Sequence, residues 1–260
     1  MLFRSQHDIP GIQGIDTRNL TKIIRSKGCM NGMITTNKYD DLTEVMKKIH
    51  DFKVTGVVEK TTCKESYILG DGIKKVALLD YGAKANIAKS LVRHGCQVTV
   101  YPASTTADEI LANDYDGIML SNGAGDPSEN VQIIEEIKTL VKSGKPIFAI
   151  CLGHQLMALA HGFKTEKMKY GHHGANHPVK DLKTGRVYIS TQNHNYVIKT
   201  DSIDETVARP WFINVNDKTI EGLEYLNENI KTVQFHPEAC AGPLDTDALF
   251  EEFIKMMEVK

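Results

Sequence analysis

A cysteine set between an apolar run and a small-residue helix start has the surroundings of a nucleophile. In Pro146-Ile147-Phe148-Ala149-Ile150-Cys151-Leu152-Gly153-His154-Gln155 the apolar run reads as a buried strand that must turn abruptly into a helix at Cys151. Such an elbow lifts the thiol to the carboxyl edge of a sheet, and the N-terminus of the next helix stabilises a thiolate and offers N–H groups to an oxyanion. Ala149 and Gly153 supply the small flanks that the tight turn needs. A cysteine without context is commonly a small core residue; here strand, helix, flanks and edge position converge on chemistry.

A thiol nucleophile needs a base, and the base needs a group to hold its ring. Phe235-His236-Pro237-Glu238 follows another strand candidate, so His236 reaches the same sheet edge. Glu238 can accept from the imidazole and fix its tautomer. Alone, the tripeptide fits a surface histidine beside an unrelated acid equally well.

A second turn, Leu120-Ser121-Asn122-Gly123-Ala124-Gly125-Asp126-Pro127, again joins strand to helix. Asp126 suits the N-cap, Pro127 the first helical position, and Glu129 completes a capping box. Gly123 and Gly125 either let the backbone approach a ligand or serve the turn dihedrals alone. Neither GxGxxG nor GK[ST] is present, which weighs against a phosphate loop. The run Gly171-His172-His173-Gly174-Ala175-Asn176-His177 raises a metal site, but Gly174 and Pro178 disfavour the helix that would align His173 with His177. With no cysteine or carboxylate at ligand spacing, the expectation is no metal and a structural or pocket role.

The elements that position these residues alternate. Val76–Leu79, Gln97–Tyr101, Ile118–Leu120 and Ile147–Ile150 read as buried strands, separated by helices around Ile87–Val92 and Ser128–Lys142. That rhythm predicts an α/β fold, a mainly parallel sheet with helices on both faces. Shorter strands are expected over 186–192, 219–226 and 231–235, then a final helix from Asp245. Upstream, a helix capped by Asp16 or Thr17 and stopped by Gly28, a strand over 33–36 and a helix over 41–52 make too little core for an independent domain. They read as a fragment of a small α+β domain, joined by a polar linker over 60–72. The division is therefore 1–68, remnant plus linker, and 73–260, the domain bearing Cys151.

Length and charge exclude several classes. The chain has 260 residues, 41% of them hydrophobic, with 31 basic and 33 acidic side chains and a net charge of -2. No broad field favours nucleic acid, and no apolar run approaches the ~20 residues that span a bilayer. The polar start lacks a signal-peptide pattern, so the cytoplasm is the expected compartment. Five cysteines, at 29, 63, 96, 151 and 240, form no CxxC pair and argue against a disulfide framework.

The motifs SNGAGDP, AICLGHQ and FHPE, in that order, resemble the glutamine amidotransferases of the Cys-His-Glu type. GIQGIDTRNLT, LLDYGAKANI, GHHGANHPVKDL and TQNHNY narrow the resemblance to the carbamoyl phosphate synthetase small subunit family, over nearly the whole chain from Ile9. That resemblance implies the amidotransferase fold and a glutamine amidohydrolase that passes ammonia through a tunnel to a large subunit, the user of ATP and bicarbonate. It implies no cofactor in this chain, ATP and Mg belonging to the partner. By motif, Cys151 would form a γ-glutamyl thioester, His236 relay protons and Glu238 orient His236. The N–H groups of Gly123 and Leu152 would form the oxyanion hole, with Gly125, Gln155, Asn193, Asn195 and Tyr196 lining the glutamine pocket.

Several positions depart from the family pattern. Ala124 stands where proline is usual, Ala149 and Asn195 where glycine is usual, and Cys240, a bystander or an oxidisable thiol, follows the His236 loop. Family members also begin well before the IPGIQGIDTR segment, so the resemblance implies that most of an N-terminal domain is missing. Surface which that domain covers would then be exposed and prone to self-association. Two other readings stay open on sequence: an amidotransferase for another synthase, such as an aminobenzoate-forming one, and a non-catalytic scaffold.

Overall fold

The computed structural model describes residues 2–239 and 242–258, so Cys240 lies outside the described residues. The chain divides into two compact units, 1–54 and 55–260. The first holds helices α1 (Leu2–Gln6), α2 (Thr17–Lys27) and α3 (Thr43–Asp51). Asp16 caps α2 by accepting from the Asn19 N–H at 2.8 Å, and Gly28, at φ 90°, ends it, as the sequence predicts. The strand expected over 33–36 is not formed. Met33 and Ile34 are exposed, and an isolated strand without a partner leaves its backbone groups unpaired. Val45 is the one buried hydrophobic side chain described in this unit, whereas Ile12, Ile15, Leu20, Ile23 and Ile24 are all exposed. A buried aliphatic side chain contributes about 1.5–3 kcal/mol. Fixing the backbone costs about 1–2 kcal/mol per residue, so the unit has no core able to hold it.

The second unit is built on one ten-stranded sheet. Its strands are β1 (Tyr67–Leu69), β2 (Lys74–Asp80), β3 (Cys96–Pro102), β4 (Gly117–Leu120), β5 (Ile147–Ile150), β6 (Thr165–Asp181), β7 (Val187–Ile198), β8 (Ala208–Asn214), β9 (Ile220–Tyr225) and β10 (Ile230–Val233). The helices are α4 (Val57–Thr61), α5 (Ala85–Arg93), α6 (Ala107–Leu111), α7 (Val131–Lys142), α8 (Leu152–Ala160) and α9 (Ala248–Met256). Across the sheet the order is β1-β3-β2-β4-β5-β10-β9-β8-β6-β7. The block β3-β2-β4-β5-β10 is parallel, as the strand–helix rhythm requires, and antiparallel strands extend it on both sides.

Alternating side chains bury both faces of the parallel block. Ala77, Leu79, Ile118, Leu120, Ile147 and Ala149 pack with Ile110, Ile137, Leu140 and Leu156 of α6, α7 and α8. Val76, Leu78, Met119, Phe148 and Ile150 pack with Ile87 and Leu91 of α5 and with Phe250 and Phe253 of α9. Both faces being apolar, these strands read as continuous hydrophobic runs.

The expected linker over 60–72 is not one. Its start belongs to α4, whose Val58 is buried in the core, and its middle forms β1, paired antiparallel with β3, so the second unit begins at Thr55. Backbone pairing at a sheet edge needs no hydrophobic period, which is why the sequence hides it. The helix expected over 128–142 splits into a 3-10 turn at Pro127–Glu129 and α7, with Asn130 at the junction. The last helix starts at Ala248 rather than Asp245.

Candidate active site

Register places three loops side by side. β5 pairs with β4 (Leu120 opposite Ala149) and with β10 (Val233 opposite Ile150), so the chain leaves Leu120, Ile150 and Val233 at one edge. These exits are the glycine turn, the Cys151 elbow and the His236 loop.

Cys151 has φ 54°, a left-handed conformation that costs a side-chain-bearing residue about 1–2 kcal/mol. The surroundings hold it there: the Cys151 N–H donates to Val233 O at 2.8 Å and the Gly153 N–H to Ser121 O at 3.0 Å. A Cβ on Gly153 would stand 2.6 Å from Leu120 O, so only glycine lets α8 approach β4 this closely. Leu152 opens α8, where first-turn N–H groups have no intrahelical acceptor.

His236 and Glu238 are both 2% exposed, and the imidazole Nδ1–H donates to Glu238 Oε1 at 2.8 Å. Burial pulls the His236 pKa down, but the charge of the Cys151 thiolate, its hydrogen bond and the Glu238 carboxylate outweigh that and push it up to about 9. The site thus favours the protonated imidazole beside Cys151, with the ring anchored from behind. Lys84 Nζ lies 3.8 Å from Glu238 Oε1, and Asn86 Nδ2 donates to the Glu238 carbonyl.

Gly123 lies between the β2 exit and α8: a Cβ there would stand 2.3 Å from Tyr81 O and 2.5 Å from Leu152 Cδ2. The Gly123 backbone thus packs against Leu152, the residue that follows Cys151. Gly125 takes φ +102°, and Asp126 caps the 3-10 turn by accepting from the Ser128 N–H. Gln155 is buried, its amide donating to Tyr196 O at 2.7 Å and Gln234 Oε1 at 2.8 Å, so a ligand can meet only its carbonyl oxygen. Asn193 and Asn195 share a face of β7 and both contact His173, at 2.9 and 3.2 Å. The backbone joins β7 to the catalytic loop, because the His236 N–H donates to Thr191 O.

Residues 77–256 match the glutamine amidotransferase class-I family, and residues 2–34 match the carbamoyl-phosphate synthase small chain, CPSase domain. The chain is 47% identical to the carbamoyl phosphate synthase small chain of Listeria innocua, over 99% of this chain and 71% of that one. It is 44% identical to the small chain of Clostridium perfringens, over 97% and 71% of the two lengths. The chain belongs to the carbamoyl phosphate synthase small chain family. A GMP synthase protein of Thermoplasma acidophilum shares the fold, with a TM-score of 0.63 at 22% identity, over 72% of this chain and 96% of that one.

As a member of the small chain family, this protein carries its departures in physically defined places. The Ala149 methyl is fully buried in the core on the α8 side of the sheet. The Asn195 side chain, which glycine would lack, is turned to His173. Sequence reasoning missed Gln234, which holds Gln155, and the Tyr196 hydroxyl, which donates to Asp126 Oδ2 at 3.0 Å and ties β7 to the glycine turn. It also missed His194, whose Nδ1 bonds Tyr196 O and whose pKa is pushed down to about 3, chiefly by burial and by His172.

The His236 pKa gives a direct check. A folded value of about 9 lies above the ordinary 6.5, so the stabilisation of the imidazolium is complete below pH ~6.5 and is lost as pH rises through about 9. An NMR titration of the His236 ring should show a midpoint near that value, moved to lower pH in Glu238→Gln, which removes one of the anionic partners. An unmoved midpoint would mean that Glu238 does not act on the ring.

Proposed function

We propose that this chain is the glutamine-hydrolysing subunit of a carbamoyl phosphate synthase, delivering ammonia to a large subunit that consumes ATP. The observation that carries the reading is the buried Cys151–His236–Glu238 array, with the imidazole fixed by a 2.8 Å bond to the carboxylate. Cys151 attacks the side-chain amide carbon of glutamine, and the N–H groups of Gly123 and Leu152 hold the resulting oxyanion. His236 gives its proton to the leaving nitrogen, releasing ammonia and leaving a γ-glutamyl thioester. The neutral ring then takes a proton from water, which attacks the thioester to yield glutamate and restore the thiolate. Gly125, Gln155, Asn193, Asn195 and Tyr196 position the substrate; ATP and Mg belong to the partner. Among the described residues no helix is long and apolar enough to cross a membrane. The proposed enzyme works in the cytoplasm and serves pyrimidine or arginine synthesis.

The test is glutaminase activity with and without a co-expressed large subunit, combined with thiol alkylation. Burial pushes Cys63 and Cys96 up to about 11, so at neutral pH Cys151 should be labelled faster than both, and glutamine should protect it. Uniform labelling without protection, together with no hydrolysis on adding the partner, would favour a scaffold.

A further inference from the structure

We infer that His172, His194 and Glu221 form a binding site for a divalent metal ion of the zinc class, separate from the Cys151 centre. The three side chains come from β6, β7 and β9, all are buried, and their ligand-capable atoms lie within 4.8 Å of one another. Residues 172 and 194 are opposed in the β6–β7 register. Sequence spacing cannot find such a site, because its ligands converge only through the sheet.

The orientation of each ring supports a metal. His172 Nε2–H donates to Asp217 Oδ2 at 2.8 Å, which turns the lone pair of Nδ1 toward Glu221 Oε1, 3.2 Å away. His194 Nδ1–H donates to Tyr196 O at 2.9 Å, which leaves the Nε2 lone pair facing Gln192 Oε1 at 3.0 Å. Carboxylate and backbone carbonyl behind the two imidazoles are the usual outer partners of metal-bound histidines. In these tautomers lone pairs face oxygens at two points, a repulsion removed either by a shared cation or by a proton on His172, whose pKa burial pulls down but Glu221 and Asp217 push up to about 8. Glu221 Oε2 makes no hydrogen bond of ordinary geometry although the side chain is fully buried, and Oε1 accepts from Asn214 Nδ2 at 3.2 Å. Metal–ligand bonds of about 2.05 Å set tetrahedral ligand atoms about 3.3 Å apart. The 3.2 Å His172–Glu221 separation already meets this, the spread of up to 4.8 Å over the three atoms must close on binding, and Gln192 Oε1 lies 3.0 Å from His194 Nε2, where it can add a fourth oxygen.

Imidazole and carboxylate donors suit zinc over magnesium or calcium. Entry is provided by a cavity of about 340 Å³ lined by Gly171, His172, Val197 and Asp217. Closed by protein ligands, the site is structural. It pins β9 to the β6–β7 pair that carries Asn193, Asn195 and Tyr196, and the Glu221 carbonyl in turn accepts from the Gln234 N–H, two residues before His236.

The competing arrangement is a metal-free one, with a protonated His172 between Asp217 and Glu221 and a rotated Gln192 amide. Untagged full-length protein, purified without chelator, separates the two by elemental analysis and cobalt substitution. The expected result is close to one zinc per chain and the visible absorption of tetrahedral cobalt. Chelation should lower the melting temperature and zinc restore it. Glu221→Gln should abolish the cobalt spectrum. Should that variant fold poorly, Asp217→Asn, at a half-exposed position, should keep the stoichiometry and weaken zinc about 10- to 100-fold. Substoichiometric zinc, no cobalt spectrum and a melting temperature indifferent to zinc would overturn the site. So would zinc bound equally by both variants and the parent.

Discussion

Replacing Cys151 by serine should lower glutamine hydrolysis by at least about 1000-fold while leaving the protein folded. One atom changes, in a residue whose backbone is held by the Val233 carbonyl and by α8, so the elbow persists. What disappears is the sulfur nucleophile. The His236 pKa is raised chiefly by the charge of a thiolate beside it. A serine hydroxyl does not ionise near neutral pH, so the imidazole loses that support and falls toward its ordinary range. His236→Asn should lose as much, because the amide then has no proton donor for the departing ammonia. The two losses should not add in the double variant, since the residues act as one unit. In the complex, both single variants should retain synthesis supported by free ammonia, because only ammonia supply is disabled. Loss of ammonia-supported synthesis as well would show that the substitutions damage the complex, and hydrolysis at parental rates would remove Cys151 from the mechanism.

The parts of this site visible in the sequence are those whose chemistry is local. Phe148 and Ile150 fill the α9 side of the sheet while Ile147 and Ala149 fill the α8 side, so β5 shows as an unbroken apolar run ending on Cys151. His236 and Glu238 are two positions apart, and their bond is made within one turn. Nonlocal contacts leave no such trace. β6 carries Gly171, Gly174 and Pro178, residues that ordinarily interrupt strands, yet it is the longest strand because β7 and β8 supply partners and register shifts absorb the irregularities. β8 contains Pro210 and likewise gives no strand signal. Gln155 has the right type for a substrate contact, but only the fold shows its amide hydrogens committed to Tyr196 and Gln234. Along the chain the histidine run offers no ligand spacing, whereas Glu221 lies well downstream and meets His172 across the sheet.

Gly123→Ala should cost about 100- to 1000-fold in kcat, with a smaller change in KM and a stability loss of about 1–3 kcal/mol. The cause is steric. A Cβ at this position stands 2.3 Å from Tyr81 O and 2.5 Å from Leu152 Cδ2. The leucine methyl can rotate away, but the carbonyl belongs to the backbone at the β2 exit and cannot, so the glycine turn must retreat. An N–H displaced by even an ångström no longer meets an oxyanion at hydrogen-bond distance, whereas ground-state binding, spread over Gly125, Gln155 and β7, changes less. Gly144→Ala is the matched control. Gly144 has φ +69° with nothing within 4 Å of a Cβ, so alanine there is strained by its dihedral alone and costs about 1–2 kcal/mol. If stability loss were what silences the enzyme, both variants would fall together. If the oxyanion donor is what Gly123 protects, only Gly123→Ala loses kcat at temperatures where both remain folded. Full turnover in Gly123→Ala would place the oxyanion donors elsewhere.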